Sequence, residues 1–257
     1  MKFTHAITRK PPGSYLGAIT TAELGQPDLE VTRQQHQQYC AVLKQAGLQV
    51  HILPALEAYP DSVFVEDTAI VESDFAVLSQ PGAISRRGEA AEMLPVLEKN
   101  FERIYQIEGH GSLDGGDICK VQDRYYIGIS ARTNLEGAQQ LAAIFNLFGY
   151  RSELIDIRGM QGVLHLKSGV NYLGDDCLLL DPRMVEKYHF KGYRQLVVPL
   201  EEAYAANSLR INDFLLVPKG FPKTLELVQQ AGFHTLLLDV SEYRKMDGGL
   251  SCLSLRW

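Results

Sequence analysis

The amino-acid sequence predicts an α/β fold of five similar units arranged as a closed, pseudo-symmetric ring, that is, an α/β propeller. Four strand–turn–strand patterns recur, at 66–78, 117–129, 169–181 and 208–218, and each turn contains Asp, which favours hairpins. A helix-like stretch and another apolar segment follow each pattern. Closing the units into a ring removes the open edges that five small sheets would expose. The alternative is an ordinary α/β chain with an open sheet.

The elements of one unit come from both ends of the chain. The segment 3–8 has the pattern of a strand. A helix is predicted to begin near Thr32 and to end near Gly47, and 48–54 follows as the next strand. The hairpin partner that this unit lacks is supplied by 251–257. The C-terminal segment is therefore predicted to pair with the N-terminal strand.

Helices are predicted after the hairpins of the next two units. Apolar residues at helical spacing within 90–97 precede a strand at 102–107. Thr133 and Glu136 have the spacing of a capping box, in which each side chain binds the backbone of the other. This pair predicts a helix that begins there and ends near Gly149.

Of the remaining two units, one has a weak helix signal in its sequence and the other has a strong one. The strand 151–157 follows the helix that ends near Gly149, and the next helix, near 182–191, is predicted to be short. Pro222 suits a first helical position and Gly232 suits a helix end. A strand at 234–240 then completes the last unit.

Composition limits the functional classes. With 257 residues, 46% of them apolar, the chain can bury a large core, and we interpret 1–257 as a single catalytic domain. A net charge of -6 disfavours a nucleic-acid or anionic-membrane partner. No run of 18 apolar residues and no secretory signal is found. Four scattered cysteines indicate thiols in a reducing compartment, so we expect a cytoplasmic protein.

The residues just before each hairpin carry chemically active side chains. If the five units are equivalent, these residues meet at one end of the ring and combine acids, imidazole and thiol, as a Cys–His–acid site requires. They are Asp61, Glu66, Asp67, His110, Asp114, His165, Asn207 and Cys252.

Each of these residues also has a structural explanation. A lone Cys is usually a small buried hydrophobe, and His165 stands between apolar residues as a core histidine does. Asp114 could belong to a turn, and the other acids could be solvated. The pair Arg86 and Arg87 is either a solvated loop or an anion clamp. The shared position of the acids, His165 and Cys252 before the hairpins favours a functional site. No P-loop, dinucleotide or HExxH pattern is present.

Seven short motifs stand in a specific order along the chain: VFVEDTAIV, PGAISRR, LDGGDI, ISARTN, LHLKSG, AANS and DGGLSC. Together they resemble the dimethylarginine dimethylaminohydrolases, from Phe3 to Cys252. These enzymes belong to the guanidino-group-modifying pentein superfamily of five-unit propellers. The resemblance implies hydrolysis of asymmetric dimethylarginine and monomethylarginine to citrulline and dimethylamine or methylamine, through a thiouronium intermediate on a cysteine.

The resemblance also implies residue roles. Cys252 matches the nucleophile, His165 the acid and base, and Asp114 the carboxylate that orients the histidine. The matches for substrate binding are Asp61, Glu66 and Asp67 for the guanidinium region, Arg86 and Arg132 for the carboxylate, Leu16 for the lid, and the Met246 carbonyl for the α-amino group. No metal and no organic cofactor is implied. The expected partner is a small guanidino compound, and a homodimer is left open.

Three alternatives remain at this stage. An arginine deiminase would place an Asp two residues after the histidine, where this chain has Lys167. An amidinotransferase would use the same covalent intermediate and an amine acceptor. A non-enzymatic ring of the same fold, such as a ribosome-binding initiation factor, would have no use for Cys252, His165 and Asp114 together.

Overall fold

The computed structural model describes residues 2–188 and 190–257. The strands in the described residues are, in chain order, β1 (His5–Arg9), β2 (Gln49–Leu53), β3 (Ala69–Val71), β4 (Ala76–Leu78), β5 (Ile104–Gln106), β6 (Ile118–Val121), β7 (Arg124–Ile129), β8 (Arg151–Asp156), β9 (Val170–Gly174), β10 (Cys177–Leu180), β11 (Arg194–Val197), β12 (Leu209–Ile211), β13 (Phe214–Pro218), β14 (His234–Leu238) and β15 (Leu255–Arg256). The α-helices are α1 (Leu29–Gln45), α2 (Arg87–Glu98), α3 (Leu135–Leu147), α4 (Leu166–Gly169), α5 (Pro182–Lys187), α6 (Pro222–Gln230) and α7 (Ser241–Arg244).

The strands form five three-stranded sheets of one design. Their orders are β15-β1-β2, β3-β4-β5, β6-β7-β8, β9-β10-β11 and β12-β13-β14. In every sheet the central strand pairs antiparallel with one neighbour and parallel with the other. Within the described part of the chain the five sheets are separate hydrogen-bonded ladders. The prediction of an α/β fold with five repeated units is confirmed.

The first sheet joins the two ends of the chain. Ala6 pairs with Arg256 and Ile7 with Leu255, both antiparallel. The ring of His5 stacks on Trp257 with centroids 5.2 Å apart. The unit predicted from both ends of the sequence is therefore confirmed.

Two helices begin at residues other than those predicted. Helix α1 follows Asp28, whose carboxylate accepts two backbone N–H groups of the first turn, so the helix begins before Thr32. Helix α3 is capped by Asn134, which accepts the N–H of Gly137 at 2.8 Å. Thr133 is not the cap, because its hydroxyl donates to the Asp117 carboxylate at 2.6 Å. The capping-box prediction was wrong in register by one residue.

The predicted helix ends are mostly confirmed. Gly149 (φ 77°) and Gly232 (φ 96°) follow α3 and α6 in the left-handed conformation that glycine adopts most readily. Pro222 is the first residue of α6. Helix α5 ends at Lys187, so it is shorter than the predicted helix near 182–191, and the part of that prediction at residue 189 lies outside the described residues.

A short helical turn precedes the first strand of every sheet. The turns are Val65–Thr68, Gly115–Asp117, Leu166–Gly169, Leu200–Ala206 and Ser251–Leu253. The turn at Val65–Thr68 contacts those at Gly115–Asp117 and Ser251–Leu253, and α4 contacts those at Gly115–Asp117 and Leu200–Ala206. The predicted convergence of the segments before the hairpins is thus observed.

The strands and helices bury apolar clusters between them. One cluster packs Phe75, in the turn before β4, against Tyr125 of β7 and Phe145 of α3, and the Tyr125 and Phe145 rings stack 3.7 Å apart. Burying a side chain of this size stabilises the fold by roughly 1.5–3 kcal/mol. Apolar residues of the short helical turns, such as Val65, Leu166 and Leu253, are buried in these clusters. Among the described residues, no helix combines the length and apolar character that crossing a membrane requires.

Candidate active site

A cavity of about 390 Å³ lies where the helical turns meet. It collects side chains from four of the five turns, so residues distant in sequence share one wall. Its polar lining residues include Glu66, His165, Lys167, Asn207, Ser251 and Cys252.

Cys252 is the partly exposed member of the four free cysteines, and the other three are buried. Its Sγ accepts the N–H of Gly249 at 3.4 Å. Burial raises the pKa of the Cys252 thiol to about 12, and the negative charges of Glu66 and Asp67 add to this effect. In the unliganded protein the thiol is therefore protonated at neutral pH and needs a nearby positive charge to ionise.

His165 and Asp114 form a buried hydrogen bond. The Nε2 of His165 donates to Oδ2 of Asp114 at 3.1 Å. The other Asp114 oxygen accepts the N–H of Gly82 at 2.8 Å, and the Asp114 N–H donates to Thr133 at 3.1 Å. Asp114 is thus held on both sides, and it fixes the orientation of the imidazole ring.

The charge of His165 is set by three aspartates. Burial lowers the pKa of its imidazole, but Asp67, Asp117 and Asp114 more than offset that effect and raise the pKa to about 9. At neutral pH the ring is therefore an imidazolium that can donate a proton.

Arg86 is buried in an ion-pair network. Its Nη1 lies 2.6 Å from Asp67, its Nη2 lies 2.8 Å from Glu89, and Nη2 also donates to the Phe64 carbonyl at 3.0 Å. Burial raises the pKa of Asp67, but His165 and Arg86 outweigh it, so the net shift is downward. The guanidinium of Arg86 is engaged inside the protein and is not part of the described cavity wall.

Glu66 carries the carboxylate of the cavity wall. Its Oε1 lies 2.5 Å from Lys167 Nζ and 3.2 Å from Arg256 Nη2. Its Oε2 accepts a hydrogen bond from the Ser251 hydroxyl at 2.8 Å. The position two residues beyond His165 therefore brings a paired cation to the cavity.

Four other predicted binding residues, Leu16, Asp61, Arg132 and Met246, are not among the described residues that line this cavity. Asp61 is buried, and it accepts the N–H of Ile19 at 3.1 Å. Leu16 is 46% exposed, Met246 is buried, and Arg132 is partly exposed. Their roles in substrate binding remain predictions.

Sequence reasoning placed one residue wrongly and missed another. His110 was expected in the cluster, but it is exposed. Asp117 was overlooked, although it is fully buried and accepts the Ser130 hydroxyl at 2.7 Å and the Leu166 N–H at 2.9 Å. A second Asp directly before an apolar strand in LDGGDI is the signal that could have identified it.

Asp67, Asp114 and His165 place possible metal-ligand atoms within 4.8 Å of one another. Carboxylate oxygens and an imidazole nitrogen are atoms that zinc accepts. Here they are engaged with each other, with Arg86 and with backbone N–H groups. This engagement accounts for their proximity as a charge network, and the absence of a metal requirement remains a prediction.

The comparisons with known proteins agree with this geometry. The family described as N,N dimethylarginine dimethylhydrolase, eukaryotic, matches residues 24–199. The N(G),N(G)-dimethylarginine dimethylaminohydrolase of Pseudomonas aeruginosa is 40% identical over 99% of this chain and 100% of its own length. The chain belongs to the dimethylarginine dimethylaminohydrolase family.

Two solved structures of dimethylarginine dimethylaminohydrolases have the same fold. The Pseudomonas aeruginosa enzyme, as a cysteine-to-serine mutant complexed with citrulline, superposes with a TM-score of 0.96 at 38% identity over 100% of both chains. A histidine-to-glycine variant, as an adduct with S-methyl-L-thiocitrulline, gives a TM-score of 0.95 at 39% identity, covering 99% of this chain and 100% of that one.

Proposed function

We propose that this protein hydrolyses Nω-methylated arginine, giving citrulline and dimethylamine or methylamine. The charge pattern of the cavity carries the proposal: a neutral thiol, an imidazolium and carboxylates surround one space. The carboxylates attract a cationic substrate, the bound cation lowers the pKa of the thiol, and the imidazolium supplies a proton to the departing amine. The citrulline complex and the thiocitrulline adduct of its relatives support the same chemistry.

The first half-reaction follows from these charges. A guanidinium bound beside Cys252 and the acids lowers the pKa of the thiol, which releases its proton to solvent. The thiolate attacks the guanidinium carbon and forms a C–S bond, which gives a tetrahedral adduct with no net charge at the reacting centre. His165 gives a proton to the nitrogen of dimethylamine as the C–N bond breaks. A thiouronium group then remains on Cys252.

In the second half-reaction His165, now neutral, takes a proton from water. The resulting hydroxide adds to the thiouronium carbon, the C–S bond breaks, and the proton of the added hydroxyl group passes to the departing sulfur as citrulline leaves. The sulfur and the imidazole return to their starting protonation states. Asp114 holds the ring in one orientation through both steps, because it bonds one ring nitrogen and leaves the other for proton transfer. None of these steps calls for a metal or an organic cofactor.

The remaining predicted residues take their places in this proposal. Asp61, Glu66 and Asp67 serve the guanidinium region, and the Met246 carbonyl receives the α-amino group. Arg132 binds the substrate carboxylate, a role that the resemblance also gave to Arg86, whose guanidinium is engaged with Asp67 and Glu89. Leu16 belongs to the lid.

The proposal also includes the arrangement of the whole chain. Contacts of β15 with β3, of β6 with β9 and of β9 with β12 support a ring that encloses the site. In this interpretation residues 1–257 act as one catalytic unit. The reduced state of all four cysteines agrees with work in a cytosol.

The ion pair of Lys167 with Glu66 distinguishes this proposal from an arginine deiminase. A deiminase needs acids facing both terminal nitrogens of the guanidinium, since each carries hydrogens. A dimethylated nitrogen has none, so an acid facing it would be buried and unpaired.

We therefore expect a higher kcat/KM for asymmetric dimethylarginine and monomethylarginine than for arginine. The difference should be about tenfold or more, from an unpaired-polar penalty of roughly 1–3 kcal/mol. Citrulline release in one buffer from all three compounds measures it, with Cys252→Ser as the blank. Equal turnover of arginine would assign the protein to the deiminases.

A further inference from the structure

Asn207 connects the segment of the proposed nucleophile to the segment of the proposed acid. Its Oδ1 accepts the N–H of Ser251 at 3.1 Å, and its Nδ2 donates to the Ser251 hydroxyl at 3.0 Å. The same Nδ2 donates to the carbonyl of Lys167 at 2.8 Å. Ser251 directly precedes Cys252, and Lys167 lies two residues beyond His165, so a single side chain spans both segments.

Asn207 also packs against the backbone that touches the thiol. A Cβ built at Gly249 would collide with the Asn207 side-chain oxygen, so the glycine is what permits this close approach. The N–H of Gly249 is the donor to Cys252 Sγ, at 3.4 Å. The amide of Asn207 therefore contacts the segment that leads to Cys252 at two places, Gly249 and Ser251.

The surroundings of Asn207 leave it little freedom. Its side chain is 6% exposed, and the N–H of Ser251 that it receives is buried. If the amide were removed, that N–H would lose its partner in a place that water does not readily fill. The turn Ser251–Leu253 would have to shift to regain a bond, and Cys252 would move with it.

The repeated architecture gives Asn207 a place among the functional positions. Glu66, Gly116 and Cys252 line the cavity from the turns of three sheets, and His165 lines it from the position just before the turn of a fourth. Asn207 follows the turn Leu200–Ala206 of the fifth sheet and lines the same cavity. The fifth unit thus contributes a side chain that is hydrogen-bonded to the turns of two other units, at Ser251 and at Lys167.

We infer that Asn207 is a positioning residue that sets the placement of the Cys252 sulfur relative to His165. It acts through Ser251, Gly249 and the Lys167 carbonyl, and the inference rests on the hydrolase activity proposed above. Because a misplacement of about 1 Å between reacting groups can cost about 100-fold in rate, the effect falls on the chemical step.

The test uses the full chain with Asn207→Ala and a matched control, Asn171→Ala. Asn171 is also 6% exposed and donates to the same Lys167 carbonyl at 2.7 Å, but its other bond goes to Ala206. Both variants lose a buried amide, and thermal unfolding measures the loss of stability in each. Only Asn207→Ala removes the hydrogen bonds to Ser251, in the turn that carries Cys252.

We expect Asn207→Ala to lower kcat for dimethylarginine by about 10- to 100-fold with KM changed less than about threefold. Asn171→Ala should keep kcat within about threefold of the parent while losing comparable stability. Similar kcat values for both variants would overturn the inference. A rise in KM with kcat preserved would also overturn it, since Asn207 would then be a substrate contact.

Two further measurements cover other outcomes. Ser251→Ala keeps the Asn207 side chain and the Ser251 N–H bond, and it should lower kcat in the same direction by about three- to tenfold; an unchanged kcat contradicts the inference even if Asn207→Ala does not fold. Alkylation of Cys252 by chloroacetamidine, followed by mass spectrometry, should slow by about tenfold in Asn207→Ala. If the parent released no citrulline, the proposed function would fail, and equal alkylation rates would separately refute the positioning role.

Discussion

Two cysteines of this protein lie near a histidine, and their surroundings differ. Cys40 lies on α1, with Sγ 3.8 Å from both ring nitrogens of His36. Cys252 shares a cavity wall with His165. Both thiols have a raised pKa, chiefly from burial, so the sulfur atoms alone do not distinguish the two sites.

The histidines are what separate the two sites. Burial, reinforced by the positive charge of Lys10, lowers the pKa of His36 to about 4. Three aspartates overcome the burial of His165 and raise its pKa to about 9. One ring is therefore neutral and the other cationic at neutral pH. Proximity of thiol and imidazole thus makes a structural pair in one place, and added carboxylates with a cavity make a reactive one in the other.

The largest expected difference is between the two sulfur atoms. Cys252→Ser should lower dimethylarginine turnover by about 10³-fold or more, because a serine hydroxyl is a far weaker nucleophile without a stronger base. Cys40→Ser should retain activity within about threefold. Citrulline assays measure both. Mass spectrometry of a trapped adduct on Cys40, Cys119 or Cys177 would contradict the assignment of the nucleophile.

The next difference is between the two imidazoles. His165→Ala should lower turnover by about 10²- to 10⁴-fold, since proton transfer to dimethylamine and from water is lost. Alkylation of Cys252 by a cationic amidine should persist, because the bound cation ionises the thiol. His36→Ala should affect stability and leave turnover near the parent value. Equal loss of turnover and alkylation in His165→Ala would instead make this residue the activator of the thiol.

The smallest effect is on stability, and its sign differs between the two sites. The folded pKa of His165 lies above the ordinary value of 6.5, so its contribution is complete below pH 6.5 and is lost as pH rises through about 9. The folded pKa of His36 lies below 6.5, so its contribution is complete above pH 6.5 and is lost as pH falls to about 4. Each contribution is on the order of 3 kcal/mol.

Urea unfolding of the parent, His165→Gln and His36→Gln between pH 4 and pH 9 checks these signs. We expect His165→Gln to flatten the alkaline loss of stability and His36→Gln to flatten the acidic loss. If either variant kept the full slope of the parent in its own window, the charge difference between the two histidines would be refuted.

Sequence patterns were sufficient for the elements that depend on local chemistry. The Asp-containing turns, Pro222 and the glycines after α3 and α6 are local signals, and the structure agrees with them. The convergence of Glu66, His165 and Cys252 followed from treating the units as equivalent.

The parts that sequence could not give depend on contacts between distant segments. Thr133 has the local features of a helix cap, but a buried carboxylate at Asp117 takes its hydroxyl, and Asn134 becomes the cap. The sequence left Arg86 as either a solvated loop residue or an anion clamp, and only the fold shows that its guanidinium is paired with Asp67 and Glu89.

The pairing of β1 with β15 has a consequence for the order of events during synthesis. A ribosome produces β1 long before β15, and Cys252 lies in the turn just before β15. Until residues 255–256 dock, β1 lacks one neighbour and the sulfur has no fixed place opposite the imidazole. Docking closes a loop of nearly the whole chain, and the entropic cost of such closure grows only slowly with length. Reactivity toward methylarginine should therefore emerge in a single late step, after β15 has been made and has docked on β1.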